Sequence, residues 1–134
     1  MEINNEVIEI PTTGDRFFDE YLKLKKPLLE LILTKINKRN IVLHPKLLQL
    51  FSILLYYNNK YRDMDEEDRR KLIFNSRTKA EIAGSMKINA RQLNTYLSIL
   101  RNIRLLNGRV INKPFIIYPE ETYRLTFKFI LNNG

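Results

Sequence analysis

The sequence predicts a mainly α-helical protein with a small antiparallel β-hairpin near its C-terminus. Apolar residues recur with helical spacing over residues 15–38, 45–57 and 78–106. Clean period-two alternation is confined to the end of the chain, over residues 123–131. A chain of 134 residues, 44% of them hydrophobic, is long enough for one domain with a core. It has no cysteine, which excludes disulfides and thiolate metal sites.

Residues 78–106 have the pattern of two helices joined by a tight turn. Thr78 with Glu81, and Asn89 with Gln92, each have the spacing of a capping box, in which two side chains satisfy free amides at a helix start. Two starts so close together leave room for a first helix of about two turns.

The apolar residues of this stretch predict one buried face on each helix. Ile82 and Met86 share a face of the first helix, and the small Ala83 lies where two crossing helices would touch. Ile88 falls in the turn, where it could fill the gap between the helices. The second helix carries an apolar stripe, formed by Leu93, Tyr96, Leu97, Leu100 and Ile103. Together these features are a helix-turn-helix signature.

The run KAEIAGSMKINARQLNTYLS resembles the helix-turn-helix of winged-helix DNA-binding proteins. Ala83, Ile88 and Leu93 match the small, apolar and apolar positions of that motif. Lys87 stands where many members have a turn glycine, so either the turn differs or the backbone accepts strain. The resemblance implies a winged helix-turn-helix domain over residues 41–134, preceded by an arm at 1–14 and a helical segment at 15–40.

The first 40 residues lie outside that resemblance. Residues 1–14 are strand-like and are interpreted either as a free arm or as a strand that pairs with a neighbour's sheet edge. Residues 15–38 are helical in pattern, and Pro27 predicts either a kink or a junction of two helices. The wide apolar face of this segment predicts packing on its own domain or on a neighbouring copy.

Pro45 opens a strong helical pattern that runs to about residue 57. His44, the only histidine, is interpreted as a helix-start residue rather than a catalyst or ligand. The acidic stretch at 63–68 could bind a hard cation, but it lacks the ligand spacing of a calcium loop. It is better explained by Asp65 as a helix cap with acids in the first turn. Residues 71–74 are either a helix end or a short strand.

The C-terminal third predicts the wing. Asn107 and Gly108 are placed to end the long helix. Residues 109–111 and 115–118 are strand-like, and residues 119–122 form a further turn. Residues 123–131 alternate, with Tyr123, Leu125, Phe127, Phe129 and Leu131 pointing one way, as in a half-buried strand.

The positive charge coincides with the motif. The chain carries a net charge of +8, yet residues 1–20 hold six acids and one base. Residues 69–113 hold eleven bases against Glu81 alone. Such a footprint is typical of nucleic-acid binding, although a solvated basic face or an acidic protein partner would also fit. Abundant Asn, Ile and Lys with only three Ala suggest AT-rich coding, as in a low-GC bacterium or its phages.

If the resemblance holds, the partner is double-stranded DNA and the second motif helix enters its major groove. The candidates for reading bases are the polar residues on the outer face of that helix: Arg91, Gln92, Asn94, Thr95 and Ser98. The candidates for phosphate contacts are the surrounding cations: Arg77, Lys79, Lys87, Arg101, Arg109 and Lys113.

No catalytic residue, cofactor or metal ligand set is expected, because the sequence has no thiol, no histidine–carboxylate pair and no glycine-rich phosphate loop. No segment has the length and apolarity of a membrane span, and a cytoplasmic location, or one within a phage particle, is expected. The alternative is a structural subunit of a virion or other large assembly that uses the fold for protein contacts. In that case residues 1–38 would pack against neighbouring subunits.

Overall fold

The computed structural model describes residues 2–4, 7–120, 123–126 and 128–132. These residues form five α-helices, two small antiparallel sheets of two strands each, and one turn of 3₁₀ helix. The helices are α1 (Phe17–Asn37), α2 (Pro45–Lys60), α3 (Glu66–Phe74), α4 (Ser76–Met86) and α5 (Ala90–Asn102). The sheets pair β1 (Glu2–Asn4) with β2 (Val7–Glu9), and β3 (Leu106–Asn107) with β4 (Val110–Ile111). The predicted mainly helical class with a small C-terminal sheet is confirmed.

The strand-like N-terminus pairs within its own chain. Ile3 lies opposite Ile8 in the register of β1 and β2, and the pairing is antiparallel. Val7 and Ile8 are exposed, so strand β2 buries little apolar surface. Met1, Asn5 and Glu6, which belong to the predicted arm, lie outside the described residues.

Helix α1 is continuous through Pro27 and packs on its own domain. Its buried residues join the core shared with α2; they are Phe18, Tyr21, Leu22, Leu29 and Leu33. The segment that follows α1 is tied back to it by side chains. The Thr34 hydroxyl accepts a hydrogen bond of 2.9 Å from the Ile41 amide, and the Glu30 carboxylate accepts one from the Leu43 amide. The extended segment between α1 and α2 therefore follows the surface of α1.

Helix α2 is the centre of the core and packs against α1, α4 and α5. It begins at Pro45, and the His44 ring nitrogen Nδ1 accepts a hydrogen bond of 3.1 Å from the Lys46 amide. The prediction of His44 as a helix-start residue is therefore confirmed. The apolar face of α2 is fully buried at Leu50, Phe51, Leu54 and Leu55.

Helix α3 starts as predicted. The Asp65 carboxylate accepts a hydrogen bond of 2.9 Å from the Asp68 amide, which is the bond of an N-cap. The acids at the start of the helix complement its dipole. Residues 71–74 are the end of this helix and not a strand.

The start of α4 differs from the prediction. The Asn75 side chain accepts a hydrogen bond of 2.7 Å from the Thr78 amide, so Asn75 is the cap and α4 begins at Ser76. The prediction of a capping box of Thr78 with Glu81 is therefore wrong. Helix α4 has 11 residues and is longer than the predicted length of about two turns. The Thr78 hydroxyl instead donates to the Leu72 carbonyl oxygen at 2.7 Å, which links α4 to α3.

The structure after α5 differs from the predicted end of the long helix. Helix α5 ends at Asn102, and Gly108 lies in the turn of the β3–β4 hairpin with φ of +63°. The interpretation of Asn107 and Gly108 as the end of the long helix is therefore wrong. A glycine with positive φ at the first position of a two-residue turn suits the twist of a β-hairpin. The hairpin therefore turns at residues 108–109, before the strands predicted at 109–111 and 115–118 could pair.

The strands predicted at 115–118 and 123–131 do not form in the described residues. Lys113–Phe115 is a 3₁₀ turn, and the chain beyond it has no ladder partner among the described residues. Phe129 and Leu131 are 90% and 87% exposed. Alternation leads to a half-buried strand only when the segment pairs with a sheet edge, and the described residues of this segment pair with neither strand of the β3–β4 hairpin. Glu121, Thr122 and Phe127, which belong to these predictions, lie outside the described residues.

Candidate nucleic-acid interface

The turn between α4 and α5 accepts backbone strain at Lys87. The Lys87 amide donates to the Gly84 carbonyl oxygen at 3.2 Å, and the Ile88 amide donates to the Ala83 carbonyl oxygen at 3.0 Å. These two bonds define a Schellman motif, which needs a left-handed residue at its centre. Lys87 supplies that conformation with φ of 58°. Lysine therefore takes the backbone angle that glycine usually provides.

The apolar residues of the motif hold α4 and α5 together. Ala83 and Leu93 are buried, and Ile88 packs partly buried against the same core. Lys46 on α2 also reaches this turn, because its Nζ atom donates to the Met86 carbonyl oxygen at 2.9 Å. A positive charge at a helix C-terminus is favourable to the helix dipole. The turn that precedes α5 is thus fixed by the core below it and by two lysines.

The outer face of α5 is polar and exposed. Its inner face is buried at Leu93, Leu97 and Leu100. All of the candidates for reading bases lie on the outer face and are exposed; they are Arg91, Gln92, Asn94, Thr95 and Ser98. The structure therefore brings these five side chains to one surface of the helix, four of them in its first half.

Two of those five residues already bond to their own helix. Gln92 completes the predicted capping box, since its Oε1 atom accepts from the Asn89 amide at 3.0 Å and the Asn89 side chain accepts from the Gln92 amide at 2.8 Å. The Thr95 hydroxyl donates to the Arg91 carbonyl oxygen at 3.0 Å. A glutamine that reads adenine uses both its oxygen and its amide group. Gln92 would have to leave its cap to do so, which makes Arg91, Asn94 and Ser98 the better candidates.

The candidates for phosphate contacts are spread over the elements that flank this surface. Arg77 and Lys79 lie on α4, Lys87 lies in the turn before α5, and Lys113 lies exposed in the 3₁₀ turn. Arg77 is paired with Glu81 at 3.6 Å, but both side chains are largely exposed. Exposed ion pairs contribute little energy, so the pair with Glu81 would not prevent Arg77 from binding another anion.

The remaining two candidates belong to the hairpin. The Nε atom of Arg101 donates to the Gly108 carbonyl oxygen at 2.9 Å, and Arg109 is exposed in the adjoining turn. Asn112 fixes the other side of the hairpin, because its side chain donates to the Arg104 carbonyl oxygen at 2.6 Å. The end of α5 and the hairpin are therefore one connected unit.

The hairpin also borders a groove that the sequence analysis did not identify. Arg69 and Arg70 of α3 line this groove together with Arg109. Arg69 and Arg70 belong to the basic residues counted over 69–113, but nothing in their sequence spacing relates them to Arg109. Only the packing of α3 beside the hairpin brings the three arginines to one groove. Lys46 was missed for the same reason.

Other kinds of site find no support in the described part of the chain. Over residues 7–120, 123–126 and 128–132, no three His, Asp or Glu side chains are grouped so that they could hold a metal ion. No helix among the described residues has both the length and the apolarity needed to cross a membrane. The one histidine, His44, serves as a helix cap.

The chain matches no protein-family model, and it has no significant match among curated proteins or solved structures. The likeness to winged-helix proteins accordingly rests on the residues of α4, the turn and α5. The candidate interface is defined by its own geometry and charge.

Proposed function

We propose that this chain is a non-enzymatic protein that binds double-stranded DNA through a winged helix-turn-helix. In this proposal α4, the turn and α5 are the helix-turn-helix, and the β3–β4 hairpin is a short wing. One observation carries it: the outer face of α5 is polar and exposed, and basic residues lie on α4, in the turn before α5 and in the hairpin after it, elements that adjoin α5. A regulatory or DNA-organising role in a low-GC bacterium or a phage fits the composition.

The N-terminal part of α5 would enter the major groove. Arg91 suits the two acceptors of guanine, and Asn94 suits the donor and acceptor of adenine. Both lie in the first half of α5, whose amide groups and dipole also favour nearby phosphate. Ser98, one turn beyond Asn94, can meet either kind of base edge.

The flanking cations would fix the protein on the DNA backbone. Lys87 stands directly before α5, and the hairpin carries Arg109 next to the anchored Arg101. Such contacts orient a protein without reading sequence. The groove arginines, Arg69 and Arg70, add positive charge beside Arg109 of the hairpin, in a groove whose lining also includes Glu66.

The first experiment measures affinity for a DNA duplex against salt by fluorescence anisotropy. Each neutralised phosphate contributes about −0.9 to the slope of log affinity against log salt. Six contacts therefore give a slope of about −5. A slope near zero would remove DNA from the proposal.

The second experiment tests base reading. Arg91→Ala combined with Asn94→Ala should abolish the preference for sites selected from a random library, while circular dichroism stays unchanged because both side chains are exposed. Arg62→Ala is the matched control, since Arg62 is exposed in the loop between α2 and α3. An unchanged preference in the double variant would contradict base reading by α5.

A second candidate function is that of a structural subunit in a virion or similar assembly. It is favoured by the exposed apolar residues near both chain ends, namely Val7, Ile8, Ile10, Phe129, Ile130 and Leu131. Such residues could bury against neighbouring copies. Light scattering separates the two functions, because a large ring that is indifferent to DNA would support the subunit.

A further inference from the structure

Helix α1 has a second apolar face that its own domain does not cover. Leu24, Leu28, Ile32 and Ile36 follow one another at intervals of four residues, and Leu31 lies beside them. They are 56%, 37%, 42%, 39% and 65% exposed, in the order named. We call these five residues the α1 ridge. The core face of the same helix is formed by other residues, such as Leu22, Leu29 and Leu33, which are 2% exposed or less.

The described residues of the C-terminal segment, 123–126 and 128–132, leave the α1 ridge exposed. Tyr123 contacts α1 near its start, with its ring centroid 5.4 Å from those of Phe17 and Tyr21. Beyond that contact Phe129 and Leu131 are themselves almost fully exposed. The described residues therefore leave the ridge open along about 18 Å of helix, at 1.5 Å per residue.

The spacing of the ridge suits a second copy of the same helix. Residues at intervals of four form the ridges that interdigitate in the commonest helix packing, with an angle of about −50° between the axes. When each helix supplies the same ridge, the contact is self-complementary and closes with twofold symmetry. Leu24 of one copy would then meet Ile36 of the other, and Leu28 would meet Ile32.

Twofold symmetry allows a parallel or an antiparallel pair, and the charge along α1 and its flanking residues favours the antiparallel one. Its beginning is acidic, with Asp15, Asp19 and Glu20 against Arg16 alone. Its end is basic, since Lys35, Lys38 and Arg39 face no acid between residues 35 and 40. An antiparallel pair places each acidic end beside a basic end, whereas a parallel pair would place like charges together. Within each helix, Arg16 pairs with Glu20 and Lys23 pairs with Asp19, and at least one side chain of each pair is exposed. Such exposed pairs are weak, so they compete little with ion pairs between the two helices.

We propose that the chain forms a homodimer in which two α1 helices pack antiparallel through the α1 ridge. The dimer does not depend on the proposed DNA binding, since α1 and the outer face of α5 are different surfaces. If both hold, the dimer presents two copies of α5 and suits a DNA site with two related halves.

The test is the mass of the whole chain in solution, measured by light scattering and sedimentation equilibrium. The wild type should have twice the 16.1 kDa of the monomer at micromolar concentration. Leu28→Glu with Ile32→Glu places two charges in the contact and should weaken dimerisation by at least about 100-fold. Both side chains are partly exposed in the single chain, so circular dichroism should stay unchanged. The matched control is Val42→Glu, because Val42 is 69% exposed outside the ridge.

A charge exchange tests the antiparallel order. Glu20→Lys alone and Lys38→Glu alone should each weaken the dimer, and the two together should restore most of the affinity. A wild-type monomer at about 100 µM would overturn the proposal, as would a dimer unaffected by the ridge variant. A larger ring would overturn the twofold contact. A monomer could still bind DNA with a steep salt slope, and a dimer could form in a protein whose salt slope is near zero, so the two proposals fail separately.

Discussion

The Nε atom of Arg101 lies 2.9 Å from the carbonyl oxygen of Gly108 and donates a hydrogen bond to it. This bond joins the last turn of α5 to the turn of the hairpin. The backbone amide of Asn112 donates to the Leu105 carbonyl oxygen at 3.0 Å, which extends the pairing of the hairpin toward α5. A hairpin with strands of two residues each has little stability of its own. The Arg101 bond and the burial of Leu106 and Ile111 in the core therefore hold it beside α5.

The Arg101 bond can be separated from the Arg101 charge. Arg101→Ala should lower the free energy of unfolding by about 1 kcal/mol and make the salt slope of DNA binding less steep by about 0.9. Arg101→Lys should lose similar stability, because lysine has no Nε–H at that position, but it should keep the slope. Urea denaturation and anisotropy measure the two quantities. A lysine variant as stable as the wild type would show that the bond contributes nothing.

Lys87 combines a strained backbone with a proposed phosphate contact. Lys87→Gly should stabilise the fold by about 0.5–1 kcal/mol, because glycine adopts the left-handed angle without the steric cost of a side chain. Lys87→Ala removes the same charge without relieving the strain, and it is the matched control. Both variants should weaken DNA binding to a similar degree. Equal stability of the two variants in thermal unfolding would contradict the assignment of strain.

The parts of the fold that the sequence predicts correctly are those with local chemical causes. Pro45, Asp65 and Asn89 act within a few residues of their own position, so a single sequence reveals the helices that they begin. Asn75 was missed because Thr78 is also a residue that caps helices and is followed by Glu81 at the right distance. Between two valid caps three residues apart, the choice depends on the contact of Thr78 with Leu72, which the sequence does not show.

The parts that were predicted wrongly depend on distant partners. Alternation over residues 123–131 describes a strand but not the sheet it would join, and the described residues of that segment lie in no ladder. A further left-handed residue besides Lys38 and Lys87, Arg104, was also missed. Its amide donates to the Arg101 carbonyl oxygen at 3.1 Å and the Leu105 amide donates to the Leu100 carbonyl oxygen at 3.0 Å, as in the turn at Lys87. No glycine marks either position, so only the backbone reveals the repeated motif.

The candidate interface likewise has a part that the sequence predicts and a part that depends on tertiary packing. The outer face of α5 follows from helical periodicity, so its five residues could be named in advance and are all exposed. The use of Gln92 as a cap partner was predicted too, but its competition with base reading became clear only from the bond to Asn89. The groove at Arg69, Arg70 and Arg109 depends on tertiary packing and has no local signal.

Gln92→Glu tests whether Gln92 acts mainly as a cap. Glutamate keeps the acceptor for the Asn89 amide and adds negative charge in the first turn, so the free energy of unfolding should stay the same or rise by about 0.5 kcal/mol. DNA affinity should fall, because the new carboxylate faces phosphates. Asn89→Ala is the contrasting variant, and it should cost about 1 kcal/mol through loss of the cap. If Gln92→Glu destabilised the fold as much as Asn89→Ala, the cap would not be what Gln92 provides.

Three tyrosines predict a loss of stability in alkali. Burial raises the pKa of Tyr21, Tyr57 and Tyr123 above the ordinary value of 10.0; the interaction between Tyr21 and Tyr123 adds to the rise of the pKa at Tyr123 and partly offsets it at Tyr21. The folded state therefore holds these protons after the unfolded state has released them. Their contribution to stability is complete below pH 10 and is lost as the pH rises above it, by up to about 1.4 kcal/mol per pH unit for the buried Tyr21.

The variant that checks this is Tyr21→Phe, studied by urea denaturation between pH 8 and about pH 11. Phenylalanine has no proton to release, so the fall in stability above pH 10 should be shallower than in the wild type. At neutral pH the variant should lose about 1 kcal/mol, because the Lys25 Nζ atom donates to the Tyr21 hydroxyl at 2.7 Å. Repeating the series in high salt controls for the general rise in negative charge, which salt screens. Parallel curves for the two proteins across the whole range would show that Tyr21 ionises equally in the folded and unfolded states.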